Sequence, residues 1–339
     1  WPMWIFYLPI VMWILLLTMR FRSLAFLSVN PGFAMSGLFG ERKAESLSHL
    51  HGMDEQARFE IITAGLIEDR LVSAEQAMRT MQLVFPVVLK PDAGQRGSDV
   101  AVIRNEGELR KYLASVPGSV LLQEHVAGEE FGVFYMRDPD AEQGHVFSIT
   151  EKTFPTVIGD GYSNLESLLM QNPRTHYMAA YLLGLHAPRL EQVLERGETF
   201  KVVEIGSHCR GSVFLDANEL ITPDLEAAMD RISRAIPGFY FGRYDLRVPD
   251  KLSLKAGQGI KVLEVNGVTS ESTNMYDPSF SIFSAYKIMF AQWLMAFKIG
   301  NKNIKRGSQG VTLIGFLKYL NSYATNKEPN NDMPIDKQA

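Results

Sequence analysis

Two short stretches carry side chains whose type and spacing suit metal and phosphate chemistry. In GRYDLRV, residues 242–248, a strand would place Arg243, Asp245 and Arg247 on one face by alternation. In KVLEVNG, residues 261–267, the same rule puts Glu264 and Asn266 together and turns Val265 away. Paired, the two strands would bring Asp245, Glu264 and Asn266 together as three oxygen donors. Hard oxygens suit Mg²⁺, which keeps several waters and binds through one or two carboxylates plus phosphates; Mn²⁺ is the alternative ion. Arg243 would then offer a cation to a phosphoryl group in transfer. The same residues equally fit plain cross-strand pairing of Arg with Asp or Glu, and Asn266–Gly267 is also an ordinary turn dipeptide.

Two further stretches could handle a nucleotide. FPVVLKP, residues 85–91, ends in Lys90 and Pro91, and a loop with Gly94, Gly97 and Ser98 follows. A lysine on a rigid strand can reach a phosphate as a point charge, and glycines let backbone N–H groups approach phosphate oxygens. The GxxxxGK[ST] pattern is absent, so this is not a P-loop; a β-hairpin with a glycine turn fits the same residues. In VLLQEHVAGEEFGVFY, residues 120–135, two strands and a short connection gather Gln123, Glu124, Glu129 and Glu130. A carboxylate there can accept from ribose hydroxyls and a backbone hinge can read an adenine edge, although acidic hairpins are also common.

The elements that must position these groups alternate between strand and helix. Apolar runs predict strands at Phe85–Pro91, Asp99–Ile103, Val120–Glu124, Glu130–Met136, His145–Glu151, Thr199–Ile205, Tyr240–Val248 and Ile260–Val265. Helices are expected over 54–83, Glu106–Ala114, Leu165–Met170, Arg174–Arg196, Pro223–Ala235 and Ser279–Ile299. Turn signals fill 23–50, among them Asn30–Gly32. Several hairpin-like pairs make this a mixed α/β, α+β arrangement rather than a simple parallel sheet.

Taken in order, FPVVLKPDAGQRGSDVAVI, LLQEHVAGEEF, GRYDLRV and LEVNG resemble the ATP-grasp superfamily, in its D-alanine–D-alanine ligase-like branch of carboxylate–amine ligases. The resemblance implies two α+β lobes gripping ATP. It implies Lys90 on the ATP phosphates, Gln123, Glu124, His125 and Val126 on adenine, Glu130 on ribose, and Mg²⁺ on Asp245, Glu264 and Asn266, with Arg243 stabilising the transferred phosphoryl group. TEKTFPTVIGDGYS, residues 150–163, is similar to a segment of cyanophycin synthetase-like members, and HCRGSVF, residues 208–214, resembles a loop closing over the triphosphate. Lys152 and Arg210 thereby join the candidate catalytic residues. The implied reaction is attack of a carboxylate on the γ-phosphate, then displacement of phosphate from the acylphosphate by an amine or similar nucleophile. A regulatory nucleotide-binding homologue and a small-molecule kinase are the alternatives. One departure stands out: the family carries another ATP lysine on a helix before the first strand, whereas Gly52–Thr80 offers only Arg58, Arg70 and Arg79.

The implied organisation is an apolar segment at 1–22, a short N-terminal lobe at 23–84, a small lobe at 85–136, a large lobe with the metal site at 137–300, and a C-terminal extension at 301–339, disordered from about Thr325. The net charge of −4 gives no support for nucleic-acid binding. The single cysteine, Cys209, excludes an intramolecular disulfide. Trp1–Met19 contains no charged residue, and Arg20 and Arg22 follow at once. As one helix it is long enough to cross a bilayer, with the arginines on the cytoplasmic side. Pro2 and Pro9 instead favour a broken, buried element docked on the main domain. The expected location is the cytoplasm, with attachment to the inner face of the membrane as the option this segment opens.

Overall fold

The computed structural model describes residues 3–38, 43–92, 99–176, 178–203 and 212–324. Two antiparallel sheets carry the candidate residues. The first joins β1 (Phe59–Ile62), β2 (Val87–Pro91), β3 (Ala101–Ile103) and β4 (Val120–Glu124) in the order β1-β4-β2-β3. Its outer face buries Ile62, Val87, Leu89, Val120 and Leu122 against helices α3 (Ile67–Thr80) and α4 (Glu106–Ser115). Asn105 caps α4 by accepting from the Glu108 N–H at 2.9 Å. Arg70 closes the far end of α4, donating to the carbonyls of Leu113, Val116 and Gly118. Alternation then leaves Lys90 and Gln123 on the opposite face.

The second sheet joins β5 (Glu129–Met136), β6 (His145–Thr153), β9 (Val213–Asp216), β10 (Phe241–Val248) and β11 (Lys261–Asn266) in the order β11-β10-β5-β6-β9. One face packs Phe131, Val133, Tyr135, Tyr244 and Leu246 on Leu225, Met229 and Ile232 of α8 (Pro223–Ala235). Helix α2 (Lys43–Ser48) adds Ala44 and Leu47 to this core, and α9 (Lys251–Lys255) adds Leu254. A two-stranded pair, β7 (Thr156–Ile158) and β8 (Thr199–Lys201), rests on α5 (Leu165–Gln171) and α7 (Ala179–Leu185), with the one-turn α6 (Pro173–His176) between them. Helix α1 (Met3–Phe21) lies along α10 (Ile282–Lys305), and α11 (Leu313–Ala324) places Phe316 and Tyr319 in the cluster that buries Leu17.

Sequence and structure part in four places. The stretch 54–83 is not one helix: Phe59–Ile62 pairs with Gln123–Val120 as β1, because an open sheet edge rewards a short apolar run more than helical propensity does. Arg174–Arg196 breaks into α6, α7 and a 3₁₀ turn at Ala187–Arg189, where Gly184 and Pro188 interrupt the helix. Strands β7 and β9 were not expected; each has only three or four residues. Helix α1 runs through Pro9: the bond removed by the ring is offset by packing along α10. Strand β1 shares a sheet with β2–β4, and β5 lies in the larger sheet.

Candidate functional site

The face of the larger sheet turned away from α8 carries the charges. Register aligns Arg243 with Asn266 and Asp245 with Glu264. Across β10 it aligns Asp245 with Gly132 and Arg247 with Glu130, and across β5 Glu130 with Lys152. Antiparallel partners share a face, so Arg243, Asp245, Arg247, Glu264, Asn266, Glu130 and Lys152 form one charged floor. The pairing foreseen between the two motif strands is therefore present.

Within that floor, charges are matched at contact distance. Asp245 meets Arg243 Nε at 2.9 Å and Lys152 Nζ at 3.0 Å. Lys152 also reaches Glu130 at 3.1 Å, and Arg247 reaches the other Glu130 oxygen at 3.0 Å. Burial alone would push the Asp245 carboxyl up; the flanking Arg243 and Lys152 outweigh it and hold it far below the usual carboxylate range. Burial likewise opposes the Lys152 ammonium, and Asp245 and Glu130 raise it above its ordinary value nonetheless. Gly132 keeps the floor open: a Cβ there would sit 3.2 Å from Arg243 Cδ and 3.6 Å from Asp245 Oδ1.

The smaller sheet closes over this floor through Lys90. Lys90 is 5% exposed, and its ammonium donates to Gln123 Oε1 at 3.0 Å and, across the gap, to the Leu263 carbonyl on β11 at 2.9 Å. Burial pushes the Lys90 pKa down to about 8, with Glu264, Asp245 and Glu130 pulling the other way and Lys43 adding to the fall. The nucleotide-hinge candidates follow on β4. Glu124 pairs with Arg58 at 2.7 Å, while its Oε1 is buried without a hydrogen bond, 3.8 Å from Lys261. Past His125, the Val126 carbonyl accepts from Arg247 at 2.6 Å.

The sequence reading missed Lys43. It sits at the start of α2, its side chain 12% exposed, with Nζ 3.3 Å from Glu264 Oε1. Asp92 fixes that start by accepting from the N–H groups of Lys43 and Ala44. Lys43 lies nine positions before Gly52, upstream of the stretch in which the resemblance places a lysine. Arg58 donates to Glu124 and the Met81 carbonyl. Arg70 is spent on α4. Glu271 is a second omission, since its carbonyl accepts from Arg243 at 3.1 Å and its carboxylate from Tyr7 and Tyr276. Asn266–Gly267 is more than a turn: a Cβ on Gly267 would lie 2.4 Å from the Ser36 carbonyl, which accepts from Val268 N at 2.9 Å.

Gly94, Gly97, Ser98 and Arg210 lie outside the described residues. Among the described residues no three His, Cys, Asp or Glu side chains gather as a metal-binding group. Asp245 is held by Arg243 and Lys152, and Glu264 by Lys43. The donors nonetheless suit a hard divalent cation, being two carboxylates and an amide on one face of adjacent strands.

No family model matches the sequence, and no curated protein matches it. Among solved structures, a D-alanine–D-alanine ligase from Bacillus anthracis is similar at 18% identity over 81% of this chain and 72% of that one, with a TM-score of 0.45. The D-alanine–D-alanine ligase from Coxiella burnetii gives 10% identity over 85% of this chain and 62% of that one, TM-score 0.41. A bifunctional glutathione synthetase from Pasteurella multocida gives 12% identity over 76% of this chain, TM-score 0.34, and this chain spans 38% of its length. The chemistry of the site rests on its own side chains.

Proposed function

We propose that the chain uses ATP to activate a small-molecule carboxylate as an acylphosphate, which an amine or similar nucleophile then opens with release of phosphate. The observation that carries this reading is the buried floor of Arg243, Asp245, Lys152 and Glu130, with Lys90 reaching down to it from the other sheet. Such a layout neutralises crowded negative charge and aligns two reactants, which is what phosphoryl transfer asks of a protein.

The roles follow from position. Lys90 and Lys43 meet the ATP phosphates. Arg243 faces the oxygens of the phosphoryl group in flight, and Lys152 stands beside it to hold the carboxylate or the acylphosphate. Asp245, Glu264 and Asn266 would hold Mg²⁺, which supplies charge neutralisation between the phosphates when bound. At the hinge, Glu124 has a buried oxygen without a hydrogen bond to offer a ribose hydroxyl or the adenine amino group; Glu130, named by the family resemblance, already serves Lys152 and Arg247.

The test is ADP release from MgATP across carboxylate and amine pairs. Release that needs both substrates, with ¹⁸O passing from carboxylate to phosphate, supports ligation. A stable phosphorylated product made without amine would show a kinase, and nucleotide binding without turnover across the whole screen would show a regulatory module.

A further inference from the structure

Helix α1 has two unlike faces. One packs along α10: Phe6 stacks on Tyr286 at 5.2 Å, Trp13 meets Phe290 at 5.4 Å, and Phe21 meets Phe297 at 5.7 Å. Polar ties secure it, from Trp13 Nε1 to the Phe290 carbonyl at 3.1 Å and from the Tyr7 hydroxyl to Glu271. The other face presents Trp4, Leu8, Met12, Leu15, Leu16 and Met19, each 50% to 70% exposed. Their spacing of three and four residues makes one continuous apolar stripe. A stripe of this length is uncommon on a surface that meets only water.

Charge says what covers it. Residues 1–40 and 278–324 contain no Asp or Glu, although the chain as a whole is net negative. The first stretch holds two cations and the second six, of which Lys302 and Arg306 are paired with Asp138 and Asp140. Arg20, Arg22, Lys287, Lys298 and Lys318 are exposed on or beside the three helices α1, α10 and α11. Pairing with a second copy through this face would set cations against cations. An anionic lipid surface meets both the stripe and the charge.

We infer that α1 lies in the plane of an anionic membrane leaflet, with its stripe in the lipid and its inner face still docked on α10. The helix is long enough to cross a bilayer: 19 residues give about 28 Å. Crossing would require either stripping Tyr7 and Trp13 from their partners or drawing Lys287 and Lys298 into hydrocarbon. An in-plane helix keeps every one of those contacts.

Flotation of the full chain with vesicles tests this. The chain should float with vesicles containing phosphatidylglycerol, float poorly with phosphatidylcholine alone, and be released by alkaline carbonate. The triple variant Leu8→Gln, Leu15→Gln, Leu16→Gln changes only exposed residues, so thermal unfolding and nucleotide binding should stay as in the parent while vesicle affinity drops roughly tenfold or more. Four results would overturn the inference: no flotation with either vesicle, flotation unaffected by the triple variant, resistance to carbonate extraction (a spanning helix), or lipid-free self-association that the triple variant abolishes.

Discussion

On the proposed ATP reading, Lys90, which burial brings down to a pKa of about 8, should report on nucleotide binding. Burial disfavours its charge in the free protein, and phosphate favours it in the complex. Above about pH 8 free Lys90 is increasingly neutral, so binding ATP there must take up a proton and affinity should fall as pH rises. Calorimetry at pH 9 in buffers of differing ionisation enthalpy should show net uptake approaching one proton, absent in Lys90→Met. Lys90→Ala should cost roughly 1.5–3 kcal/mol of ATP binding, and an unchanged Kd would remove Lys90 from the site. Lys43→Met should lower kcat on the order of 10²-fold, with the midpoint of thermal unfolding little altered. Glu264→Gln separates metal from ion pairing. Its partner Lys43 is bound at a partly exposed site, so stability should change by less than about 1 kcal/mol. Turnover should collapse and need far more Mg²⁺; unchanged Mg²⁺ dependence would leave Glu264 a plain partner of Lys43.

At the scale of elements, legibility followed range. Strands β4 and β10 and helices α4 and α8 were readable because their own residues dictate them: a short apolar run at Val120–Leu122, the alternation of Tyr244, Leu246 and Val248 with Arg243, Asp245 and Arg247, an Asn105 cap, a Thr222–Pro223 start. The floor of the site was readable too, since alternation alone puts Arg243 with Asp245 and Glu264 with Asn266. What could not be read was settled by distant partners. Asn30 looked like a turn residue, yet it is fully buried and clamps the start of β10, donating to the Phe241 carbonyl at 2.7 Å and accepting from Tyr240 and Phe241 N–H at 2.9 Å. Nothing local announces a bond across 211 positions. Lys43 was hidden for the same reason, as was Glu271. Asn30→Ala would leave these backbone groups buried and unpaired, so it should destabilise the chain by about 2–4 kcal/mol in denaturant unfolding. A loss below 0.5 kcal/mol would show that water replaces the clamp.

For the whole molecule, the site belongs to neither sheet alone, and a ligand held by both should bind them into one cooperative unit. At a hundredfold excess over Kd, MgATP should add about 2.7 kcal/mol, seen as a single calorimetric transition moved upward. Two transitions, only one of them shifted, would place the nucleotide on one sheet. The bond from Lys90 to the Leu263 carbonyl has a further consequence, for rates. On the proposed ATP reading, this cation in the free protein already spans the gap a triphosphate would enter, so the nucleotide would engage it only after that bond breaks. Association is then gated by an opening step. In stopped-flow mixing the observed rate should level off at high ATP concentration, and the plateau should measure how often Lys90 releases the Leu263 carbonyl.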